Sequence, residues 1–245
     1  MASDYDRDGR PVVPPGRPAT VWPCQPTDPG QRPAGWLQAA VERIVATTTR
    51  PGDPVLLLTP PPPAQPGPLE DSGGHDPSEE LAGTAGTVAR LGRRVQVRTA
   101  PADPAARRSC SEPGPGAGAG RASGPGSDAD PHAVVVTVVA PTRPGWFTRI
   151  AWGELLTPDG TLAVVTRSDS LGGWLIDPTV ELTVAAGRSG LVLLDRIVLL
   201  EVPLDQLDRP ATPIPRAVVA RRVHSDLLLF TAVRGATGPL RSETR

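Results

Sequence analysis

Lysine and asparagine are missing from all 245 residues of this chain, so every positive side chain is arginine. Without lysine there is no P-loop lysine to meet a nucleotide phosphate and no lysine to form a Schiff base, which removes the usual nucleotide triphosphatases. Any motif that depends on an asparagine side chain is excluded as well. The same bias, beside 32 prolines and 26 glycines, points to a high-GC bacterial genome. Cysteine is nearly absent. Cys24 and Cys110 stand far apart with no CxxC spacing, which argues against a disulfide framework or a zinc site. Aromatics make up only 3% of the chain, and the formal net charge is −1. No whole-chain field draws such a protein to nucleic acid or anionic lipid. No apolar run nears the ~20 residues of a membrane span, and the N-terminus has no apolar signal region, so the expected location is the cytoplasm.

What is present reads as an α/β pattern. Residues 1–33 are polar, Pro-rich and without periodicity, which predicts an extended or disordered arm. Leu37, Val41, Ile44 and Val45 recur at helical spacing within residues 34–49, and Arg50-Pro51-Gly52-Asp53 ends that helix. Val55-Leu56-Leu57-Leu58 suits a buried parallel strand. After four prolines, Pro60 to Pro63, a helix over 78–91 and a strand over Arg94–Arg98 are expected. Residues 101–131 are Gly/Pro/Ser/Ala-rich and cannot bury enough apolar surface to order themselves. Ala133 to Val139 is the strongest strand signal in the chain. A helical stripe follows through Trp146, Phe147, Ile150, Ala151 and Leu155, stopped by Thr157-Pro158-Asp159-Gly160. A strand over 161–166, a helix over 177–188 and strands over 191–202 and 226–230 complete the order, the last two forming an antiparallel pair. Strands alternating with helices predict a mostly parallel doubly wound sheet, with the Val55 and Val134 runs as central neighbours. The domain expected from this pattern spans 34–235, with a tail over 236–245.

This order resembles the class I S-adenosylmethionine-dependent methyltransferase fold, Rossmann-like, with one region replaced by the low-complexity loop. Trp22 with Gln31-Arg32, Thr49 to Asp53 before Val55-Leu56, Ala89 to Arg94 before a strand, and Leu155 to Thr161 carry the likeness. They look like the actinobacterial branch of amino-methyltransferases related to adenine-specific DNA methylases and tRNA guanine-N2 methyltransferases. The resemblance covers about two-thirds of the chain. It implies an acidic residue and glycines at the end of the first strand, where the backbone approaches the cofactor. Here Leu57 takes the acidic position, and Pro61 and Pro63 take glycine positions. Proline has no N–H to offer. Thr99-Ala100 stands where a carboxylate would meet the ribose, with Asp103 nearby. The family's acceptor motif, Asp/Asn/Ser-Pro-Pro-aromatic, falls on Val138-Val139-Ala140-Pro141, which lacks both the polar residue and the aromatic. Trp146 is either a displaced stacking residue or, as its spacing favours, core.

Other constellations are bland. His75, His132 and His224 are isolated, a pattern of surface or capping residues. The adjacency of His224, Ser225 and Asp226 says nothing of triad geometry. Glu79-Glu80 suits a helix start. Arg90, Arg93, Arg94 and Arg98, with Arg107 and Arg108, form the one basic concentration, either a phosphate-binding patch or a solvated face. The expected function is that of a degenerate methyltransferase-like pseudoenzyme: a binding or regulatory module for an unidentified protein or nucleic acid, with no catalytic residue, no cofactor, no metal and no membrane association. The alternative is an active S-adenosylmethionine-dependent methyltransferase with a remodelled cofactor loop, acting on the amino group of a nucleic-acid base.

Overall fold

The computed structural model describes residues 20–24, 35–62, 77–102, 130–171, 174–202, 204 and 223–232. The strands are β1 (Thr20–Pro23), β2 (Pro54–Thr59), β3 (Arg94–Thr99), β4 (His132–Val138), β5 (Leu156–Thr166), β6 (Asp169–Leu171), β7 (Trp174–Ile176), β8 (Leu191–Leu200) and β9 (His224–Ala232). The helices are α1 (Gly35–Thr48), α2 (Pro77–Gly83), α3 (Ala85–Arg90), α4 (Trp152–Leu155) and α5 (Thr179–Arg188), with a 3-10 turn over Pro144–Arg149. Seven strands form one sheet in the order β1-β8-β9-β5-β4-β2-β3, and β6 and β7 pair separately as an antiparallel hairpin. β9 is antiparallel to both of its neighbours, while the remaining pairs in the sheet are parallel. The sheet matches the mostly parallel α/β pattern expected from the sequence, antiparallel pair included.

The two uninterrupted apolar runs sit where their composition requires. β2 and β4 pair side by side, Val55 with Val134 through Leu58 with Thr137, and apolar residues there need cover on both faces. Val55, Leu57, Val134 and Val136 pack with Leu37, Val41 and Ile44 of α1 on one face. Leu56, Val135, Leu162 and Leu228 pack with Phe147, Trp152 and Leu182 on the other. Thr137 spans this junction, its hydroxyl donating to the Leu58 carbonyl at 2.7 Å.

Local chemistry explains where the elements depart from the sequence pattern. The helix expected over 78–91 is two helices. Buried Thr84 donates both its N–H (3.1 Å) and its hydroxyl (2.7 Å) to the Leu81 carbonyl, which ends α2 and starts α3. The stripe from Trp146 to Leu155 also breaks, at extended Ile150. The Trp152 indole N–H donates to the Phe147 carbonyl at 3.0 Å, and three aromatic rings pack around it. Thr157 to Gly160, read as a turn, lies inside β5. Leu156 pairs with His132 and Thr161 with Val134, so five steps on β5 match two on β4, and the surplus residues bulge. Thr20–Pro23 lies within the segment read as an arm, yet pairs parallel to Ile197–Leu200 as an edge strand. The β6/β7 hairpin was not foreseen. Gly92 and Gly190 take positive φ (76° each) just past α3 and α5, where a side chain would be strained. Residues 103–129 of the low-complexity stretch, Pro63, His75, Cys110 and the 236–245 tail lie outside the described residues.

Candidate functional site at the carboxyl edge of the sheet

In open α/β sheets ligands bind beyond the carboxyl ends of the strands, where the strand order changes direction. Here that point lies between β2 and β4. The turn into β2 is fixed by Asp53, whose carboxylate accepts the Arg50 N–H at 2.7 Å. Arg93 ties α1 to the entry of β3, donating to the Thr49 carbonyl (2.8 Å) and hydroxyl (3.1 Å) and to the Leu91 carbonyl. At the carboxyl edge the ends of β2 and β3 are closed on each other. The Thr59 hydroxyl lies 3.1 Å from that of Thr99, and the Ala100 N–H donates to the Thr59 carbonyl at 2.8 Å.

Leu57 is fully buried in the cluster beneath α1, so the position where the family resemblance implies an acid belongs to the core. Ala100 is 3% exposed and packs in the opposite cluster. Pro60 and Pro61 are half-buried and bring no N–H to the site. Among the described positions, Pro60 and Pro61 have no N–H, and Leu57 and Ala100 carry no carboxylate.

The acceptor-motif positions, by contrast, converge. Val138, Val139, Ala140 and Pro141 line a cavity of about 60 Å³ together with Val165, Thr166 and Arg167 at the end of β5. The Val139 N–H donates to the Val165 carbonyl at 2.9 Å, and the Val139 carbonyl accepts the Thr166 hydroxyl at 2.9 Å. The wall is therefore aliphatic, and the main-chain groups of Val139 are engaged within the fold. Trp36 and Leu37 at the start of α1, Glu80 of α2 and Ser225 of β9 complete the lining. These four were missed by sequence reasoning. Trp36 and Leu37 fit an ordinary core stripe, Glu80 looks like a helix-start charge, and Ser225 reaches the cavity only through the antiparallel return of β9. Ser225 donates to Glu201 at 2.6 Å. A wider cleft of about 390 Å³, bordered by Arg94, Gln96, Asp130 and His132, opens at the opposite, amino-terminal edge, away from the strand ends that bind ligands in this architecture.

The remaining polar candidates are structural. Trp146 is 6% exposed inside the aromatic cluster, as its spacing favoured. His132 corrects the surface reading: it is 4% exposed, with Nδ1 3.3 Å from the Leu155 carbonyl and Nε2 3.1 Å from the Gln96 amide. Burial holds its pKa below the usual 6.5. Ser225 and Asp226 face opposite sides of the sheet and His224 is exposed, so the three form no triad. Asp226, 2% exposed, instead accepts Arg196 through both oxygens at 3.1 and 3.0 Å, with Asp177 3.7 Å from the same guanidinium. The bonds to Asp226 push the pKa of Arg196 up. The hydroxyl and N–H of Thr179 hold the Asp177 carboxyl below its ordinary value. Cys24 is buried beside α1, and burial raises its thiol pKa to about 11 against the pull of Arg43. Among the described residues no His, Cys, Asp and Glu side chains gather as a metal site, and no helix is long and apolar enough to cross a membrane.

No protein-family model matches the sequence, and no curated relative is detected. Solved structures do resemble it. A TehB-like SAM-dependent methyltransferase from Corynebacterium glutamicum is 12% identical, with a TM-score of 0.38 over 78% of this chain and 86% of that one. A protein-(glutamine-N5) methyltransferase, release factor-specific, from Alicyclobacillus acidocaldarius is 13% identical, with a TM-score of 0.37 over 83% and 95%. A 1,6-didemethyltoxoflavin-N1-methyltransferase from Burkholderia thailandensis, with its namesake compound and S-adenosylhomocysteine bound, is 14% identical, with a TM-score of 0.33 over 81% and 76%. These comparisons correct the expectation that the chain takes no cofactor: the structures it resembles are methyltransferases, one SAM-dependent by description and one holding S-adenosylhomocysteine. The chain has a Rossmann-like α/β fold, a mostly parallel sheet in which β9 runs antiparallel to β5 and β8.

Proposed function

We propose that this chain is a methyltransferase-like binding module that does not transfer methyl groups. The observation that carries the reading is the cavity wall at Val138 to Pro141. An acceptor amino group there would meet the aliphatic side chains of Val138, Val139 and Ala140, and the Val139 main chain is already bonded to Val165 and Thr166. The site is suited to holding a small ligand or a side chain from a partner, with Trp36 as an apolar wall and Glu80 and Arg167 as charged borders.

A second reading has one observation in its favour. Trp36 and Glu80 reach the same cavity from other elements, so an aromatic and a carboxylate are present although the acceptor motif itself lacks them. On that reading the chain is an active methyltransferase acting on a base amino group, with its acceptor groups relocated. The deciding experiment is radiolabelled methyl transfer from S-adenosylmethionine to DNA and to tRNA, run beside calorimetric titration with S-adenosylmethionine and S-adenosylhomocysteine. The binding-module reading requires no label in either nucleic acid, whatever the titration gives. Label that disappears in Trp36→Ala or Glu80→Gln would replace it with the second reading.

A further inference from the structure

β3 ends the sheet. It is bonded to β2 from Pro54↔Arg94 to Thr59↔Thr99, and among the described residues nothing pairs with its other edge. The Arg94 N–H donates to the Asp53 carbonyl and the Ala100 N–H to the Thr59 carbonyl. With a period of two, the even-numbered residues of β3 turn their main-chain groups to β2, and Val95, Val97 and Thr99 turn theirs outward. Proteins commonly protect such an edge with charged side chains, proline, a bulge or a very short strand. β3 has six residues, no proline and no register shift.

Its side chains divide by face. Val95 and Val97 register with Val55 and Leu57, and Val97 is 43% exposed. Arg94, Gln96 and Arg98 lie on the opposite face, Arg94 exposed and Arg98 half-buried, and exposed Arg90 ends the helix that leads into the strand. Arg93, the fourth member of this basic group, is engaged in tying α1 to β3. Asp130 is the acidic residue bordering the cleft at the amino-terminal end. The edge thus offers a row of unpaired peptide groups with arginines along one side and exposed valine along the other.

We propose that this edge docks an extended acidic segment of a partner protein, added as a further strand beside β3. Main-chain hydrogen bonds to Val95, Val97 and Thr99 supply the pairing. Alternation supplies the selection: acidic residues fall over Arg94 and Arg98 while apolar ones fall over Val97.

The test is fluorescence anisotropy of the full chain with a labelled short peptide of alternating Glu and Val, and with an alternating Lys and Val peptide of the same length. The Glu-Val peptide is expected to bind at least about tenfold more tightly, and less tightly as salt rises. Arg94→Glu combined with Arg98→Glu should weaken it by about tenfold or more. Val97→Pro removes one outward N–H and leaves the bonds to β2 in place, so it should weaken binding to a similar degree. Should that variant fail to fold, a Glu-Val peptide N-methylated on the edge that faces β3 asks the same question of the unchanged protein, and it should not bind. The proposal is overturned if the unchanged chain fails to bind the Glu-Val peptide, including because its own residues 103–129 cover the edge. It is equally overturned if the Lys-Val peptide or the N-methylated peptide binds as well.

Discussion

Restoring an acid at position 57 should destabilise the protein, because that position belongs to the core. Leu57 is fully buried between α1 and the sheet, pairing in register with Val97 on one side and Val136 on the other. Leu57→Asp removes about 2–3 kcal/mol of apolar burial. It also buries a carboxyl with no partner in an all-apolar cluster, at a further cost of about 1–3 kcal/mol. The sum, about 3–6 kcal/mol, at its upper end reaches the whole stability of many domains of this size. The sign of its pH dependence follows from burial, which raises the introduced carboxyl's folded pKa above the unfolded ~3.9. The folded state then keeps its proton longer. The penalty is smallest at low pH and grows as pH rises from the unfolded pKa through the folded one. Urea denaturation followed by circular dichroism, at several pH values, measures this, with Leu57→Ala as the control that loses about 2–5 kcal/mol without the pH trend. A loss below about 1 kcal/mol for Leu57→Asp, with no pH trend, would refute the placement of this position in the core.

Three further outcomes follow from buried polar groups. Arg196→Leu leaves Asp226 buried without its cation; because the Arg196 side chain is 44% exposed, the expected loss falls below the buried-pair range, at about 2–3 kcal/mol, and a second change Asp226→Leu should recover much of it in denaturant titrations. His132 has a folded pKa below 6.5, so its share of stability is intact at neutral pH and lost as pH falls through 6.5; His132→Gln should flatten the stability profile between pH 7 and 5, and an unchanged profile would contradict its burial. With a thiol pKa of about 11, Cys24 should alkylate slowly at pH 8 in the native protein and quickly in denaturant, as read by mass spectrometry of its tryptic peptide.

The sheet was legible because its strands declare themselves by composition: Val55 to Leu58 and Val134 to Val139 are too apolar for any place but the middle. The helix breaks were not legible, since each turns on a single local bond. Thr84 bonds back to Leu81, and Trp152 bonds to Phe147, and neither changes the periodicity. Thr157 to Gly160 is turn chemistry used as a bulge, which only the pairing of β4 with β5 decides. Val138 to Pro141, read from the sequence as the end of a strand, line one wall of the cavity because they follow one another off β4. Its other walls, Trp36, Glu80 and Ser225, come from three separate elements and meet only through the fold. Asp226 and Arg196 are likewise thirty residues apart and pair only because β8 and β9 run side by side.

The most direct measurement of the central claim is transfer of radiolabelled methyl from S-adenosylmethionine to total tRNA and to unmethylated DNA by the purified full chain. A site walled by Val138, Val139, Ala140 and Pro141 predicts incorporation no higher than in reactions without protein. Incorporation that grows with protein concentration, and falls when Glu80 is changed to Gln, would contradict it.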